Sequence, residues 1–327
     1  MVTFLPTRPG RLADVPSFDR AIGGAESNVA CVLASAGHSA RWVSRIGADG
    51  FGDHLVETIG GYGVDVTTVR RDEARPTGVY FRTAGDRGTD AHEVAYYRAG
   101  SAASAMSADT VDLTAARAGR VLHLTGITPA LSPECLALTR ELTAPHPGRP
   151  LVSFDVNHRP GLWRGADGPG VLLGLARAAD IVFVGEDEAE ELWGIGGGPA
   201  ALRDALPEPE VLVVKQGAHG ATALHPGGAA FVPALSVDVV ATTGAGDAFA
   251  AGFLSATLRG LPVPTRLRHG HLTAAAALTV PGDLATPCSR DHADRLAALD
   301  EEAWGTLRLG PGWTHADHWA DEEVRTP

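Results

Sequence analysis

A glycine-rich turn between a strand and a helix is predicted at residues 242–249, which read Thr242-Thr243-Gly244-Ala245-Gly246-Asp247-Ala248-Phe249. Alternating apolar residues at 235–239 precede it as on a strand, and apolar residues spaced by four follow it as on a helix that ends near Gly260. The glycines allow the backbone to approach a ligand, and the free N–H groups of the helix start favour an anion there. Asp247 would lie in the first turn of this helix, beside that anion. The alternative is an ordinary aspartate at a helix N-terminus, although such a residue does not require Gly-Ala-Gly before it.

Short apolar runs alternate with helix-length segments through most of the chain. The runs lack polar alternation, which is typical of buried parallel strands. Repeated strand–helix units of this kind predict an α/β fold with a mostly parallel sheet covered by helices on both faces. In such sheets ligands bind beyond the carboxyl ends of the strands. The predicted strands are 42–46, 121–124, 151–156, 181–184 and 211–214, and the predicted helices are 26–36, 52–61, 133–143, 170–178 and 199–206.

Residues 71–99 break this alternation and show no helical period. A hairpin joined by the polar loop Gly85–His92, together with two strand-like segments near the N-terminus, predicts a small antiparallel flap. Such a flap on an α/β body suits a lid that excludes water from a reaction. The segment after Glu301 has no clear period and is predicted to be a peripheral tail. The predicted flap strands are 2–5, 18–22, 78–82 and 93–98.

The composition excludes several classes of function. The chain has 327 residues with 27 basic and 39 acidic side chains, a net charge of −12, so we expect no nucleic-acid partner. No apolar run approaches the ~18 residues that cross a membrane, and no apolar signal segment is apparent, so we expect a cytoplasmic protein with no membrane partner. Cys31, Cys135 and Cys288 form neither a disulfide nor a zinc pattern. Lys215 is the only lysine, which is consistent with a site that needs a compact ammonium group or with chance.

Three motifs, in this order, resemble the ribokinase-like (PfkB) carbohydrate kinases. Gly23–Ala30 is similar to the N-terminal signature of that family, Val43–Gly52 to the segment after it, and Gly244–Asp247 to the C-terminal signature. The resemblance implies an α/β, three-layer, Rossmann-like ribokinase fold with a mostly parallel central sheet and a small β-sheet lid. It also places Met1–Leu5 at the end of the family's first strand, so about ten residues are expected to be missing before it. The implied division is a kinase core at 23–71 and 99–300, lid segments at 1–22 and 72–98, and a peripheral tail at 301–327.

The resemblance implies ATP as the phosphate donor and Mg²⁺ as the ion that bridges its phosphates. Asp247 would take the proton from the substrate hydroxyl. The backbone amides of Gly244, Ala245 and Gly246 would neutralise charge on the transferring phosphoryl group. The nucleotide would be bound by residues of the turn after one strand and by a later histidine, namely Lys215, Gly217, Gly220 and His271.

Two positions concern metal ions. Glu188 is similar to a family residue that organises Mg²⁺ through water, although Gly185 stands where the family has an amide or hydroxyl side chain. A solvated acidic helix start is the alternative for the neighbouring Glu186 and Asp187. Ala241 replaces an aspartate that helps to hold a monovalent cation, so no strong activation by K⁺ through that ligand is expected.

Within the family, the segments Tyr96–Ser104, Leu122–Ser132 and Asp155–Trp163 most resemble the 2-keto-3-deoxygluconate kinases. A sugar acid needs a cation for its carboxylate, and an arginine beyond a strand end provides a bidentate partner. The alternative for each arginine is a structural ion pair. The implied substrate-binding residues are Gly24, Asn28, Tyr80, Tyr96, Arg98, Ile127, Arg159 and Asp283.

The predicted function is therefore an ATP-dependent kinase that phosphorylates the 6-hydroxyl of 2-keto-3-deoxygluconate. The first alternative is another sugar kinase of the same family, of the fructokinase, ribokinase or 5-dehydro-2-deoxygluconokinase type. The second alternative is a weakly active relative that only binds a sugar or nucleotide. A homo-oligomer is expected.

Overall fold

Strands and helices alternate along the computed structural model, which describes residues 1–83, 93–163 and 167–315. Among these residues, no helix combines the length and apolar character needed to cross a membrane. The strands are β1 (Val2–Pro6), β2 (Phe18–Ile22), β3 (Arg45–Gly47), β4 (Arg70–Asp72), β5 (Val79–Arg82), β6 (Val94–Tyr97), β7 (Val121–Thr125), β8 (Leu151–Asp155), β9 (Ile181–Gly185), β10 (Val211–Lys215), β11 (Gly220–His225), β12 (Gly228–Pro233), β13 (Ser236–Val237) and β14 (Arg308–Leu309). The helices are α1 (Ala25–Ser35), α2 (Gly50–Gly61), α3 (Leu113–Arg117), α4 (Pro133–Thr143), α5 (Gly168–Arg177), α6 (Glu186–Trp193), α7 (Gly198–Ala205), α8 (Ala245–Leu258), α9 (Val263–Leu278), α10 (Arg290–Ala297) and α11 (Glu301–Thr306).

The main sheet has six strands in the order β12-β11-β10-β9-β8-β7. Strands β7 to β10 are parallel, as the apolar runs predicted, and the hairpin β11–β12 adds two antiparallel strands at one edge. The carboxyl ends of the parallel strands therefore open on one side of the sheet. Strand β7 ends the described sheet at its other edge, next to a cavity of about 620 Å³ between β7, α1 and α4.

Alternate residues of the central strands pack on opposite faces of the main sheet. Phe183 and Val213 contact the face covered by α1, α8 and α9, whereas Val184 and Val214 contact the face covered by α4 to α7. Both faces are apolar because helices cover both, which explains why these strands read as continuous apolar runs. The result is three layers, helix on sheet on helix.

A second, four-stranded sheet has the order β2-β1-β5-β6. It contains the strands of the predicted hairpin and both predicted N-terminal strands, and the predicted loop Gly85–His92 lies outside the described residues. Strand β5 places Tyr80 and Arg82 on the same face, and both side chains are buried. This sheet faces the side of the molecule on which the strands β8 to β10 end, since residues of both sheets line one cavity.

Three sequence predictions about elements are wrong. The predicted strand at 42–46 is only the short β3, which pairs with β4 outside the main sheet, because Trp42 is half-buried and bonded to a loop. The alternation at 235–239 yields only the two-residue β13. The segment after 301 is not peripheral as far as it is described, since Trp304 and Trp313 are buried in the core.

Candidate active site

A cavity of about 560 Å³ lies between the carboxyl ends of the main-sheet strands and the small sheet. Segments that are far apart in sequence meet there, including α1, β5, β6, the ends of β8 and β10, and the start of α8. Most of the predicted site residues line it, namely Gly24, Asn28, Tyr80, Tyr96, Arg98, Ile127, Arg159, Glu188, Lys215, Gly244, Gly246, Asp247 and Asp283. Ala245 adjoins it as the first residue of α8.

Asp247 lies in the first turn of α8, where its carboxylate is enclosed. Burial raises its pKa to about 7, while the Nδ2 group of Asn28, which donates a hydrogen bond to Oδ2 at 2.8 Å, acts in the opposite direction. Asn28 is itself buried on α1 and fixes the orientation of the carboxylate. A carboxylate with a pKa near neutrality and a fixed direction is suited to accept a proton from an alcohol.

The turn before Asp247 is shaped by a glycine that no other residue can replace. Gly244 has φ 80°, and a Cβ atom placed there would lie 2.3 Å from the carbonyl oxygen of Asp283. Gly244 is also the N-cap of α8 and supplies no capping side chain. The N–H group of Ala245 lies 3.4 Å from the carbonyl oxygen of Thr242, whereas those of Gly246 and Asp247 remain available to a ligand in the described part of the chain. Such a helix start favours a phosphate group.

Lys215 is the last residue of β10, and its ammonium lies beside this turn. Its Nζ atom is 3.0 and 3.2 Å from the two carboxylate oxygens of Asp155, which is buried at the end of β8. Burial acts to lower the pKa of Lys215, but the carboxylates of Asp155, Glu188 and Asp247 together raise it. The ammonium is therefore charged, and it balances part of the negative charge around Asp247.

The other three residues assigned to the nucleotide do not line this cavity. Gly217 and Gly220 belong to the turn between β10 and β11, and a Cβ atom on Gly220 would lie 2.3 Å from the carbonyl oxygen of Val232. His271 is buried in the core, where its Nε2 atom is 3.1 Å from the same carbonyl oxygen and its ring contacts that of Phe249. The structure therefore gives His271 contacts within the core, and its assignment to the nucleotide stays a prediction.

Two arginines, Arg98 and Arg159, form a positive region in the lining of the cavity. The guanidinium of Arg98 lies 4.2 Å from the ring centre of Tyr96 and is close enough to Arg159 for its charge to act on it. Burial lowers the pKa of Arg98, and its buried Nε has no hydrogen-bond partner among the described residues. Arg159 is exposed and donates only to the carbonyl oxygen of His158 within the described part of the chain. In that same part, neither arginine has a carboxylate partner.

Tyr80 and Asp283, which both line the cavity, are hydrogen-bonded to each other. The hydroxyl of Tyr80 donates to Oδ2 of Asp283 at 2.9 Å, and burial raises the pKa of the tyrosine. Glu188 is similarly engaged, since its two carboxylate oxygens accept the N–H groups of His158 and Gly185 at 2.5 and 3.0 Å.

The arrangement of carboxylates around the cavity is relevant to the binding of Mg²⁺. The described residues contain no group of three or more side chains that would enclose a metal ion. Mg²⁺ in kinases is held mainly by phosphate oxygens and water, with one or two carboxylates nearby, so this arrangement fits an ion that arrives with the nucleotide. Each oxygen of Glu188 keeps a lone pair that can accept a water molecule of that ion.

Sequence reasoning missed three further residues of the site. Asp155 is the last residue of β8 and Asn157 follows that strand. Asn157 lies at the cavity wall and has a φ of 41°, a left-handed backbone conformation that is uncommon outside glycine. Polar residues at the carboxyl end of a buried strand were the available signal. Glu26 accepts hydrogen bonds from the hydroxyls of Thr125 and Thr128 at 2.8 and 2.7 Å, a contact across the fold that no local pattern indicates.

Comparison with known proteins agrees with this geometry. A family model described as pfkB family carbohydrate kinase matches residues 2–288. The chain belongs to the pfkB family of carbohydrate kinases. It is thus a phosphotransferase with a sugar hydroxyl as acceptor.

The individual relatives of this pfkB kinase act on more than one sugar. The 2-dehydro-3-deoxygluconokinase of Bacillus subtilis (strain 168) is 34% identical over 293 residues, which cover 87% of this chain and 89% of the relative. The fructokinase of Escherichia coli is 32% identical over 260 residues, covering 78% and 81%. The crystal structure of 2-dehydro-3-deoxygluconokinase from Thermotoga maritima has a TM-score of 0.82 at 25% identity and covers 91% of this chain and 96% of that chain. The predicted ribokinase-like fold is confirmed.

Proposed function

We propose that this pfkB kinase transfers the γ-phosphate of ATP to the 6-hydroxyl of 2-keto-3-deoxygluconate. The observation that carries the proposal is the pair Arg98 and Arg159, two neighbouring cations in the lining of the cavity with no carboxylate partner among the described residues. The charge of Glu26 acts on Arg98, but no carboxylate of the described residues forms an ion pair with either arginine, and two neighbouring cations in this state favour an anionic ligand. The carboxylate of a sugar acid supplies that charge, whereas a neutral sugar does not.

The remaining residues supply the parts of a phosphoryl transfer. Asp247 accepts the proton of the attacking hydroxyl while Asn28 keeps the carboxylate oriented. The turn Gly244–Gly246 donates its N–H groups to the transferring phosphoryl oxygens, and Lys215 adds a positive charge beside them. When bound, Mg²⁺ neutralises phosphate charge, and Glu188 holds one of its water molecules.

The small sheet would act as the lid of this reaction. Its strand β6 carries Tyr96 at the substrate end, and its strand β5 carries Tyr80 against Asp283. Exclusion of water at this point protects the phosphoryl group from hydrolysis. The division of the chain into core and lid segments, the cytoplasmic location and the homo-oligomer remain predictions.

A substrate panel tests the assignment directly. We expect release of ADP with keto-deoxy sugar acids and little with fructose, ribose or nucleosides. The change Arg159→Ala should raise the KM for the sugar acid by about ten- to a hundredfold and leave the KM for ATP nearly unchanged, because a charge-assisted bidentate contact is lost. Lysine should rescue only part of the loss, since it cannot reproduce the planar fork.

The matched control is Arg140→Ala, which removes an exposed arginine of α4 outside the cavity. It should change neither KM. Preference for fructose over every sugar acid would instead support the neutral-sugar alternative, which the similarity to a fructokinase favours. Binding of ATP and sugar acid without turnover would point to a weakly active relative.

A further inference from the structure

Arg82, at the end of an inner strand of the small sheet, makes its side-chain hydrogen bonds to residues outside that sheet. It is the last residue of β5, and its side chain is 4% exposed. Its guanidinium donates to three acceptors that belong to other segments. The acceptors are Oγ1 of Thr243 at 3.0 Å, the carbonyl oxygen of Pro281 at 3.1 Å and Oδ1 of Asp283 at 2.9 Å.

These acceptors surround the turn that faces the phosphate. Thr243 directly precedes Gly244, and the carbonyl oxygen of Asp283 lies against the position where Gly244 would carry a side chain. Arg82 therefore contacts both the residue that leads into the turn and the loop on which the turn packs. No other residue of the small sheet forms an ion pair with that loop in the described part of the chain.

The same guanidinium offsets a buried negative charge near the base. Asp283 and Arg82 are both almost fully buried, and Asp283 is one of the carboxylates that raise the pKa of Asp247. The other groups around Asp247 are Asn28 from α1, Asp155 from β8 and Lys215 from β10. Around Asp283 lie the hydroxyl of Tyr80, the terminal amine of Met1 and the carboxylate of Asp247 in addition to Arg82.

We propose that Arg82 is a positioning residue for phosphoryl transfer, which ties the small sheet to the turn at Gly244 and keeps the charge of Asp283 away from Asp247. The proposal rests on the proposed function, in which this turn holds the transferring group and Asp247 is the base. The hydrogen bonds of Arg82 go to Thr243, Pro281 and Asp283 and not to Asp247. Its geometric contribution is the planar fork that spans Thr243 and Asp283, and its electrostatic contribution is the positive charge.

Two substitutions at position 82 distinguish the geometric contribution from the electrostatic one. The change Arg82→Lys keeps the charge and loses the planar fork, so we expect kcat to fall by about tenfold or more. The acid limb of the pH profile of kcat/KM, where Asp247 becomes protonated, should stay at the same pH. The change Arg82→Met removes both, so kcat should fall further and the acid limb should move to higher pH by about half a unit or more. The KM for the sugar acid should change less than about threefold in either variant.

An additional substitution at Asp283 tests whether the charge of this carboxylate causes the shift of the acid limb. In the double variant Arg82→Met with Asp283→Asn, the uncompensated charge is gone, and the acid limb should return to the wild-type position even though kcat stays low. The matched control is Arg45→Met, which breaks an ion pair of 2.7 Å with Asp72 and a bond of 2.9 Å to the carbonyl oxygen of Ala105, on the loop after β6. Arg45→Met should lower the melting temperature without moving the acid limb or kcat per folded molecule.

The proposal fails if Arg82→Lys has the wild-type kcat per folded molecule, or if Arg82→Met lowers only the melting temperature, as Arg45→Met does. If Arg82→Met does not fold, Arg82→Lys still decides the geometric part, and Asp283→Asn alone must move the wild-type acid limb to lower pH. A failure of the proposed function is distinguishable, since Asp247→Asn would then retain turnover whatever residue stands at 82.

Discussion

Asp247 is held between burial, which favours its protonated form, and a hydrogen bond from Asn28, which favours the charged form. This balance places its pKa at about 7. We expect Asp247→Asn to lower kcat by about 10²–10⁴, the usual range for loss of a general base, while ATP and sugar acid still bind. ADP release and binding calorimetry measure the two effects. A variant that keeps more than about a third of the wild-type turnover would remove Asp247 from this role.

Individual site residues differ in how far the sequence predicts them. Asp247 and Gly244 could be predicted because their chemistry follows from a local strand–turn–helix pattern. Arg159 could be predicted as a cation beyond a strand end, although its freedom from a carboxylate partner is known only from the fold. The pairing of Lys215 with Asp155 joins two strands, and no local pattern contains it. The packing of the His271 ring inside the core could not be predicted, because a position in sequence does not reveal it.

At the scale of one element, α8 has a glycine with positive φ at each end, and only one of them is tightly packed. Gly244 meets the carbonyl oxygen of Asp283, whereas Gly260 has φ 70° and open space around it. Gly244→Ala should therefore displace the turn and lower kcat by about a hundredfold or more. Gly260→Ala carries a similar backbone strain, about 1 kcal/mol, and should keep full activity. Steady-state rates and melting temperatures compare the two.

Equal activity of the two alanine variants would show that the close approach to Asp283 does not shape the phosphate turn. A loss in both would indicate that α8 as a whole, and not its first turn, controls the activity.

Helices and strands could be predicted where the spacing of apolar residues is uninterrupted. The apolar runs of β7 to β10 and the helix α4 are found where their patterns place them. Helix α9 was not predicted because Arg266, Arg268, His269 and His271 interrupt its apolar spacing, although two of these side chains are buried. The short β3 is the opposite case, since its apolar run predicts a strand of the main sheet but the strand pairs with β4 instead.

At the scale of the whole molecule, acid should weaken the fold through the buried His271. Burial lowers the pKa of His271 to about 4, while a histidine in the unfolded chain titrates near 6.5. The unfolded chain therefore binds the proton first, so the free energy of unfolding falls as the pH drops from 6.5 toward 4. His271→Gln should lessen the loss of melting temperature between pH 7 and pH 5, since an amide can still donate to the carbonyl oxygen of Val232.

The control for this effect is His146→Gln, which changes an exposed histidine. It should leave the pH dependence of the melting temperature as in the wild type. Asp247 acts in the opposite direction, because its raised pKa makes protonation below about pH 7 favour the folded state. An unchanged slope in His271→Gln would mean that other groups determine the acid sensitivity.

Reagents that acylate lysine side chains should find little to react with on this protein. Lys215 is its only lysine, it is paired with Asp155, and neighbouring carboxylates raise its pKa, so the neutral nucleophilic form is scarce. The terminal amine of Met1 differs, because burial lowers its pKa to about 6 and leaves it largely neutral at pH 7, but it lines the same cavity and donates to the carbonyl oxygen of Gly23 at 2.7 Å. Coupling to a surface or a dye through lysine will therefore be slow, and whatever is attached at Lys215 will occupy the chamber where phosphate is transferred. Labelling that preserves activity has to use another functional group, such as the partly exposed thiol of Cys288.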